Sequence, residues 1–223
     1  MKRVAFLCGL LISGYLLAAQ QSDYSVSADS RHWKLKRDKH DVQVYLGNVT
    51  GSKYKAVRAV TRIQVRLQSV VALLRDTGAC PEWADLCQEA HVHEQLTDTD
   101  LLVYTRNHLP WPVSDRDLVA EVVWSQDRRT GIVTMDSHAV DGVVARHKGC
   151  VRLTQAHTVW VITPLGQGWV EVAMEAHVNP EGPLPAWVTN HLLVKSPYKT
   201  VLGLRKAVFS PKYANARFGF IDG

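Results

Sequence analysis

The chain has 223 residues, of which 46% are hydrophobic and 21% charged, with a formal net charge of +5. This excludes a mainly disordered chain, a collagen-like chain, a coiled coil and a multi-span membrane protein, and leaves enough length to bury a core unaided by metal. The positive charges are scattered and no Lys/Arg run reads as a nucleic-acid tail, so no nucleic-acid partner is expected.

The first twenty residues read as a secretory signal. Lys2 and Arg3 form a basic start, and Val4 to Leu17 is an uncharged apolar run of fourteen residues. That suits a signal h-region, whereas a spanning helix needs about 20 residues. Ala18, Ala19 and Gln20 supply a small-residue exit, with cleavage expected between Ala19 and Gln21; the alternative is an uncleaved N-terminal anchor. Export is therefore expected. Loss of Lys2 and Arg3 lowers the net charge from +5 to +3.

One domain follows, over residues 21–223. Ser22–Ser30 is polar and can form a short lead-in helix. Trp33–Arg37 and Val42–Tyr45 alternate about Asp41, the pattern of a hairpin. Tyr54–Leu67 alternates again, with Val57, Ala59, Thr61 and Ile63 on one face and Arg58, Arg62 and Arg66 on the other. Ser69–Thr77 changes to helical spacing and is expected to end at Gly78; Pro81 opens a second short helix that carries Trp83 and Leu86.

Six strands are then predicted, His91–Leu96, Leu101–Leu109, Leu118–Trp124, Gly131–Val140, Val151–Thr163 and Trp169–Val178, separated by Asp- and Gly-rich turns. After the turn cluster Asn179–Pro183, Leu184–Phe209 reads as one long helix, with apolar side chains at three- and four-residue spacing and a kink expected at Pro197. The class is α+β: a strongly curved antiparallel sheet with one long C-terminal helix against it.

Of the mature cysteines, Cys80 and Cys87 lie seven residues apart. Along one continuous helix that is about 10 Å of rise, more than the roughly 7 Å a disulfide tolerates. They can bridge only if Cys80 lies off the helix that carries Cys87. Three cysteines cannot all pair, so at least one, counting Cys150, is a free thiol or bonds another chain.

The sequence has no G-x-S-x-G elbow, no phosphate loop and no dinucleotide fingerprint. His91 and His93 share a strand face, but with no third ligand nearby they read as two surface histidines, and no metal or other cofactor is expected. His177 and His191 can line a cavity or serve as structural histidines. Asp115-Arg116-Asp117, just after Pro110-Trp-Pro112, reads as a corner tied by charge-assisted hydrogen bonds; the alternative is a charged group that reaches into a pocket.

These pieces together resemble the START (steroidogenic acute regulatory protein-related lipid transfer) family from about Trp33 to Phe209. Trp33 through Val44-Tyr45 is similar to the family's opening hairpin, Tyr54–Val60 to the next strand, and Trp83 to the tryptophan after the second helix. Pro110–Val119 resembles the P-x-P…R-D-[FLY]-V segment, and Asn179–Val188 the D-x-x-G-x-[IL]-P-x-W-[LV] lead into the last helix. The resemblance implies a helix-grip fold in which the C-terminal helix closes a hydrophobic tunnel that holds one lipid. It implies lipid binding and transfer by a monomer that touches a membrane transiently, not catalysis, and a signal segment on such a domain is similar to an exported bacterial member, placed in the periplasm.

Where several relatives carry a second Arg facing the cavity, six positions after Arg116, this chain has Val122, which points to a more apolar tunnel or an anchor elsewhere. If Val122 faces the tunnel, Leu118, Ala120 and Trp124 do too. Tyr104 or Arg106 of the neighbouring strand, and Trp187, His191, Val194 and Tyr198 of the helix, complete the expected ligand contacts. Two alternatives stay open: an enzyme on the same scaffold, with His177, His191 and Tyr104 as its acid–base groups, and a docking module whose interior is filled.

Overall fold

A computed structural model describes residues 32–222. The expected signal segment and the Ser22–Ser30 lead-in lie outside the described residues. Among those residues no helix is long and apolar enough to cross a membrane.

Strands β1 (Lys34–Lys39) and β2 (Val42–Gly47) form the expected hairpin. Its corner residues His40 and Asp41 both have positive φ, 52° and 56°, the backbone of a two-residue turn whose twist matches the strands. Strand β3 (Ala56–Gln64) keeps the alternation read from sequence: Ala59 and Thr61 point into the core, and Arg58 and Arg62 point out. There they pair with Glu175 at 3.3 Å and Glu171 at 2.9 Å on strand β10 (Trp169–Val178).

Helix α1 runs Leu67–Arg75, two residues earlier than the pattern predicted. It ends at Asp76, whose N–H bonds back to the carbonyls of Ala72 and Leu73, and Gly78 lies inside the 3₁₀ turn that follows. The short helix α2 (Cys80–Trp83) holds Pro81 in its first turn, as expected. Cys87 opens strand β4 (Cys87–Gln95), off that helix, and a disulfide joins it to Cys80 with the Cα atoms 6.0 Å apart.

The remaining strands are β5 (Asp100–Asn107), β6 (Asp115–Gln126), β7 (Val133–Val140), β8 (Cys150–Arg152) and β9 (Ala156–Gly166). One curved sheet contains all ten in the order β1-β2-β3-β10-β9-β7-β6-β5-β4, with β8 beside the start of β6. Only the β6–β8 pair is parallel. The segment predicted as a single strand over Val151–Thr163 is two, because the chain leaves β6 after Arg152 and joins β7 and β10 from Ala156. Among the described residues the free edges are β1 and β4, and both carry β-bulges.

The C-terminal helix has three parts: α3 (Ala186–Asn190), a π-helical stretch His191–Lys195, and α4 (Ser196–Ala207). The expected distortion at Pro197 takes this form. Pro197 has no N–H to offer the carbonyl four residues back, and the wider turn spans the register just before it. Helix α4 lies on β2 and β3. Arg205 donates to Thr61 Oγ1 and to the Arg62 carbonyl, both at 2.6 Å, and the Tyr198 hydroxyl meets His40 Nδ1 at 2.7 Å. The core fills the concave face of the sheet under α1 and α4, with Val42, Val44, Leu73, Ile162, Val201 and Leu204 fully buried. The C-terminal tail packs Phe218, Phe220 and Ile221 onto that core.

Candidate functional site

A pocket of about 360 Å³ lies at the other end of the concave face, between the sheet and α1, α2 and the start of α4. Its wall follows from strand register, since directly opposed residues of paired strands share a face. Ala120 opposes Val103, Leu118 opposes Thr105, and Val122 opposes Leu101 on β5 and Ser137 on β7. Ser137 opposes Thr158, and Met135 stands between Trp124 and Trp160. All of these side chains line the pocket, so its wall runs in rows across four strands.

Leu118, Ala120, Val122 and Trp124 thus stand on the pocket wall. Tyr104 and Arg106 do not. Their partners are Val119 and Asp117, the alternate positions of β6, which places both on the convex face. From the C-terminal helix only Thr200 reaches the pocket. Trp187 is 51% exposed, His191 bonds Asp85, Val194 lies within the π stretch, and Tyr198 turns to His40 and under the Arg37 guanidinium. A π turn inserts about one residue, rotating the face that follows by about 100°, so three- and four-residue spacing across it does not track one face.

The pocket rim is laced to the helix at Asp85. Its carboxylate accepts from Lys199 at 3.1 Å and contacts His191 Nε2 at 3.2 Å, and its N–H donates to Thr200 Oγ1. Asp76, also on the wall, accepts from Lys212 and, at 2.8 Å, from the Tyr213 hydroxyl. The same wall holds the Cys80–Cys87 bridge and Trp83, whose ring meets Trp160 edge-on.

The Asp115-Arg116-Asp117 corner divides its work. Arg116 donates to the carbonyls of Ser114, Pro180 and Glu181, and so ties the start of β6 to the loop that leads into α3. Asp117 is buried on the convex face against Arg152, with Nε–Oδ1 and Nη2–Oδ2 both 3.0 Å. Asp115 accepts from Arg106 at 2.7 and 3.1 Å, from the Leu109 N–H, and contacts His108. Burial alone would raise the Asp115 carboxyl, but the Arg106 guanidinium, the Leu109 N–H and His108 together hold it below the ordinary carboxylate range. A carboxyl depressed in the folded state stabilises fully above its unfolded value, near 4, and that stability is lost as pH falls through the folded value. Asp115→Asn is expected to be less stable than the parent at pH 7 and to lose less on acidification to pH about 3.5. Urea unfolding of both proteins at the two pH values checks this; parallel losses would contradict it.

Sequence reasoning missed Arg152 as the partner of Asp117, because the two lie 35 positions apart and meet through the β6–β8 pairing. It also missed the one group of potential metal ligands among the described residues. His138 opposes His157 across β7 and β9, their rings stack at 4.0 Å, and the Nε2 atom of each lies 2.8 Å from Asp136 Oδ1. His157 Nδ1 is buried without a hydrogen-bond partner. Metal-bound imidazoles ordinarily anchor that second nitrogen, so this cluster reads as one carboxylate holding two imidazoles. His91 and His93 stay exposed on the edge strand β4, and His91 lies against the Tyr104 ring.

The START domain model matches residues 15–210. The chain belongs to the START family. The match extends further toward the N-terminus than the motifs from Trp33 onward. A Pseudomonas aeruginosa protein, PA1579, is 34% identical over 192 residues, which is 86% of this chain and 94% of that one. Among solved structures, a STAR-related lipid transfer protein from Xanthomonas axonopodis superposes with a TM-score of 0.72 at 31% identity, covering 79% of this chain and 98% of that fragment. Human STARD10 superposes with a TM-score of 0.71 at 20% identity, covering 80% of this chain and 74% of that one, a likeness of fold. The curved sheet and C-terminal helix are therefore the START helix-grip fold, and the pocket occupies its concave face.

Proposed function

We propose that this START protein is an exported lipid carrier that holds one apolar ligand in the pocket, rather than an enzyme. The pocket of about 360 Å³, walled by rows of apolar side chains on β5, β6, β7 and β9, is the observation that carries the reading. Leu118, Ala120, Val122 and Trp124 are its proposed ligand contacts. Burial of apolar surface, at about 25 cal/mol per Å², is the driving force for uptake.

The acid–base groups of the competing enzyme reading do not converge. Tyr104 bonds Asp117 on the convex face, His177 meets Ser52, and His191 meets Asp85. The lacing of Asp85 to His191, Lys199 and Thr200, beside the π stretch, supplies a seam at which the C-terminal helix can part from the rim. Trp111, 88% exposed, and Trp187 stand in solvent on the two segments joined by Arg116, and serve as the transient membrane contact. Export is supported by the N-terminal signal pattern and by a disulfide suited to an oxidising compartment.

The test is native mass spectrometry of the monomer purified from a periplasmic extract, followed by lipid extraction. Ala120→Trp fills the pocket and is expected to remove a stoichiometric co-purified lipid while preserving the far-ultraviolet circular dichroism spectrum. A parent protein that stays free of lipid after incubation with liposomes overturns the reading.

A further inference from the structure

The pocket is not uniformly apolar. Two residues of its wall, Arg75 and Trp83, each carry a buried N–H donor that has no hydrogen-bond partner, Nη1 and Nε1 respectively. Arg75 is the last residue of α1, and its Nη2 donates to the Asp98 carbonyl at 3.0 Å. Its guanidinium carbon lies 5.7, 5.5 and 5.7 Å from the ring centres of Trp124, Phe218 and Phe220. Aromatic faces attract a cation but supply no lone pair to Nη1.

The nearby carboxylates are committed elsewhere, Asp76 to Lys212 and Tyr213 and Asp85 to Lys199 and His191. No ion pair among the described residues includes Arg75 within 4.0 Å. Burial works against its charge, and Asp98 only partly offsets this. An unfilled donor on a half-buried cation is costly unless a guest supplies the acceptor.

We propose that Arg75 anchors the head of the ligand. On the carrier reading, on which this rests, the pocket takes a single-tailed amphiphile whose oxyanion, a carboxylate or a phosphate, accepts from Arg75 Nη1, while Trp83 Nε1 is free for a second acceptor. A pocket of about 360 Å³ is near the lower end of the roughly 300–1,000 Å³ of ligand sites, room for one tail and not for two. A guanidinium fork matches either oxyanion.

The experiment compares hexadecanoic acid, hexadecyl phosphate and hexadecanol, each titrated into delipidated full-length mature protein and into Arg75→Met. The parent is expected to bind at least one of the two anions about tenfold or more tighter than the alcohol, the scale of one charge-assisted hydrogen bond. The tighter anion names the head group. Arg75→Met is expected to erase that preference by weakening the anions about tenfold more than hexadecanol. Equal binding of all three probes by the parent, or an equal loss of all three in Arg75→Met, overturns the anchor and leaves lipid carriage standing. Binding of none by the parent overturns both. The parent's own preference is read without any variant, so the anchor stays testable even where Arg75→Met fails to fold; Trp83→Phe, which removes only the Nε1 donor, is then expected to keep the anion preference, and its loss there overturns Arg75 as the anchor.

Discussion

Asp117→Ala is expected to cost about 3–5 kcal/mol in urea unfolding, the scale for stranding one member of a buried ion pair. The side chains of Arg152 and Asp117 are 0% and 1% exposed. Two hydrogen bonds of 3.0 Å join them, and the Tyr104 hydroxyl adds a third to the same carboxylate at 3.3 Å. Tyr104 registers the environment: burial first, then the Asp117 charge, pushes its hydroxyl up to about 12. Arg152 also donates to the carbonyls of Val144 and Ala145. Without Asp117 its charge has no buried partner, and the anchorage of β8 and of the 141–149 connection weakens with it. Replacing both members, Asp117→Leu with Arg152→Met, is expected to recover most of the loss, because the desolvation of both charges goes with them. A single-variant loss below about 1 kcal/mol would show the pair to be dispensable.

Gly203→Ala is expected to destabilise the protein even though alanine is the better helix former by about 1 kcal/mol. A Cβ at Gly203 meets the backbone of Trp83, with the carbonyl carbon at 2.9 Å and Cα at 3.2 Å, and overlaps the carbonyl oxygen. Backbone held by a disulfide three residues away cannot swing aside as the tip of a side chain can. Overpacking of this kind costs about 1–3 kcal/mol, and each kcal/mol moves Tm by about 2–4 °C in a chain of this size. Because Trp83 lines the pocket, the displaced α2 also deforms the ligand wall. Thermal melts and lipid occupancy of Gly203→Ala are therefore expected to fall together. A higher Tm with full occupancy would mean that α2 yields freely.

The order of strands and helices was legible because period-two and period-3.6 burial are local properties, and each element has a wet and a dry face. Pairing partners are not local. On β6 the alternation that includes Val122 led to Leu118, Ala120 and Trp124 on the pocket wall. On β5 the same logic chose Tyr104 and Arg106, one residue out of phase, because only the register with β6 says that Val103 and not Tyr104 opposes Ala120. The helix candidates stand off the pocket wall for a related reason. Pro197 marks a distortion, but the π stretch that resolves it shifts the face by an amount no spacing rule carries. Nothing in the sequence singles out Arg75, because the rings of Trp124, Phe218 and Phe220 that surround its guanidinium come from distant parts of the chain.

The two free edges of the sheet bear on how the protein behaves in crowded solution. An open ladder edge invites another chain to extend it. Strand β1 offers Lys34, Lys36, Arg37 and Lys39, so two such edges repel each other. Strand β4 offers Glu89 and Glu94, which could attract β1 of a second copy. Continuous pairing is interrupted on both sides, however, by the bulge between Leu35 and Arg37 and by those at Cys87/Glu89 and Val92/Glu94. At both ends of the grip, the irregular ladder therefore works against edge-to-edge extension of the sheet.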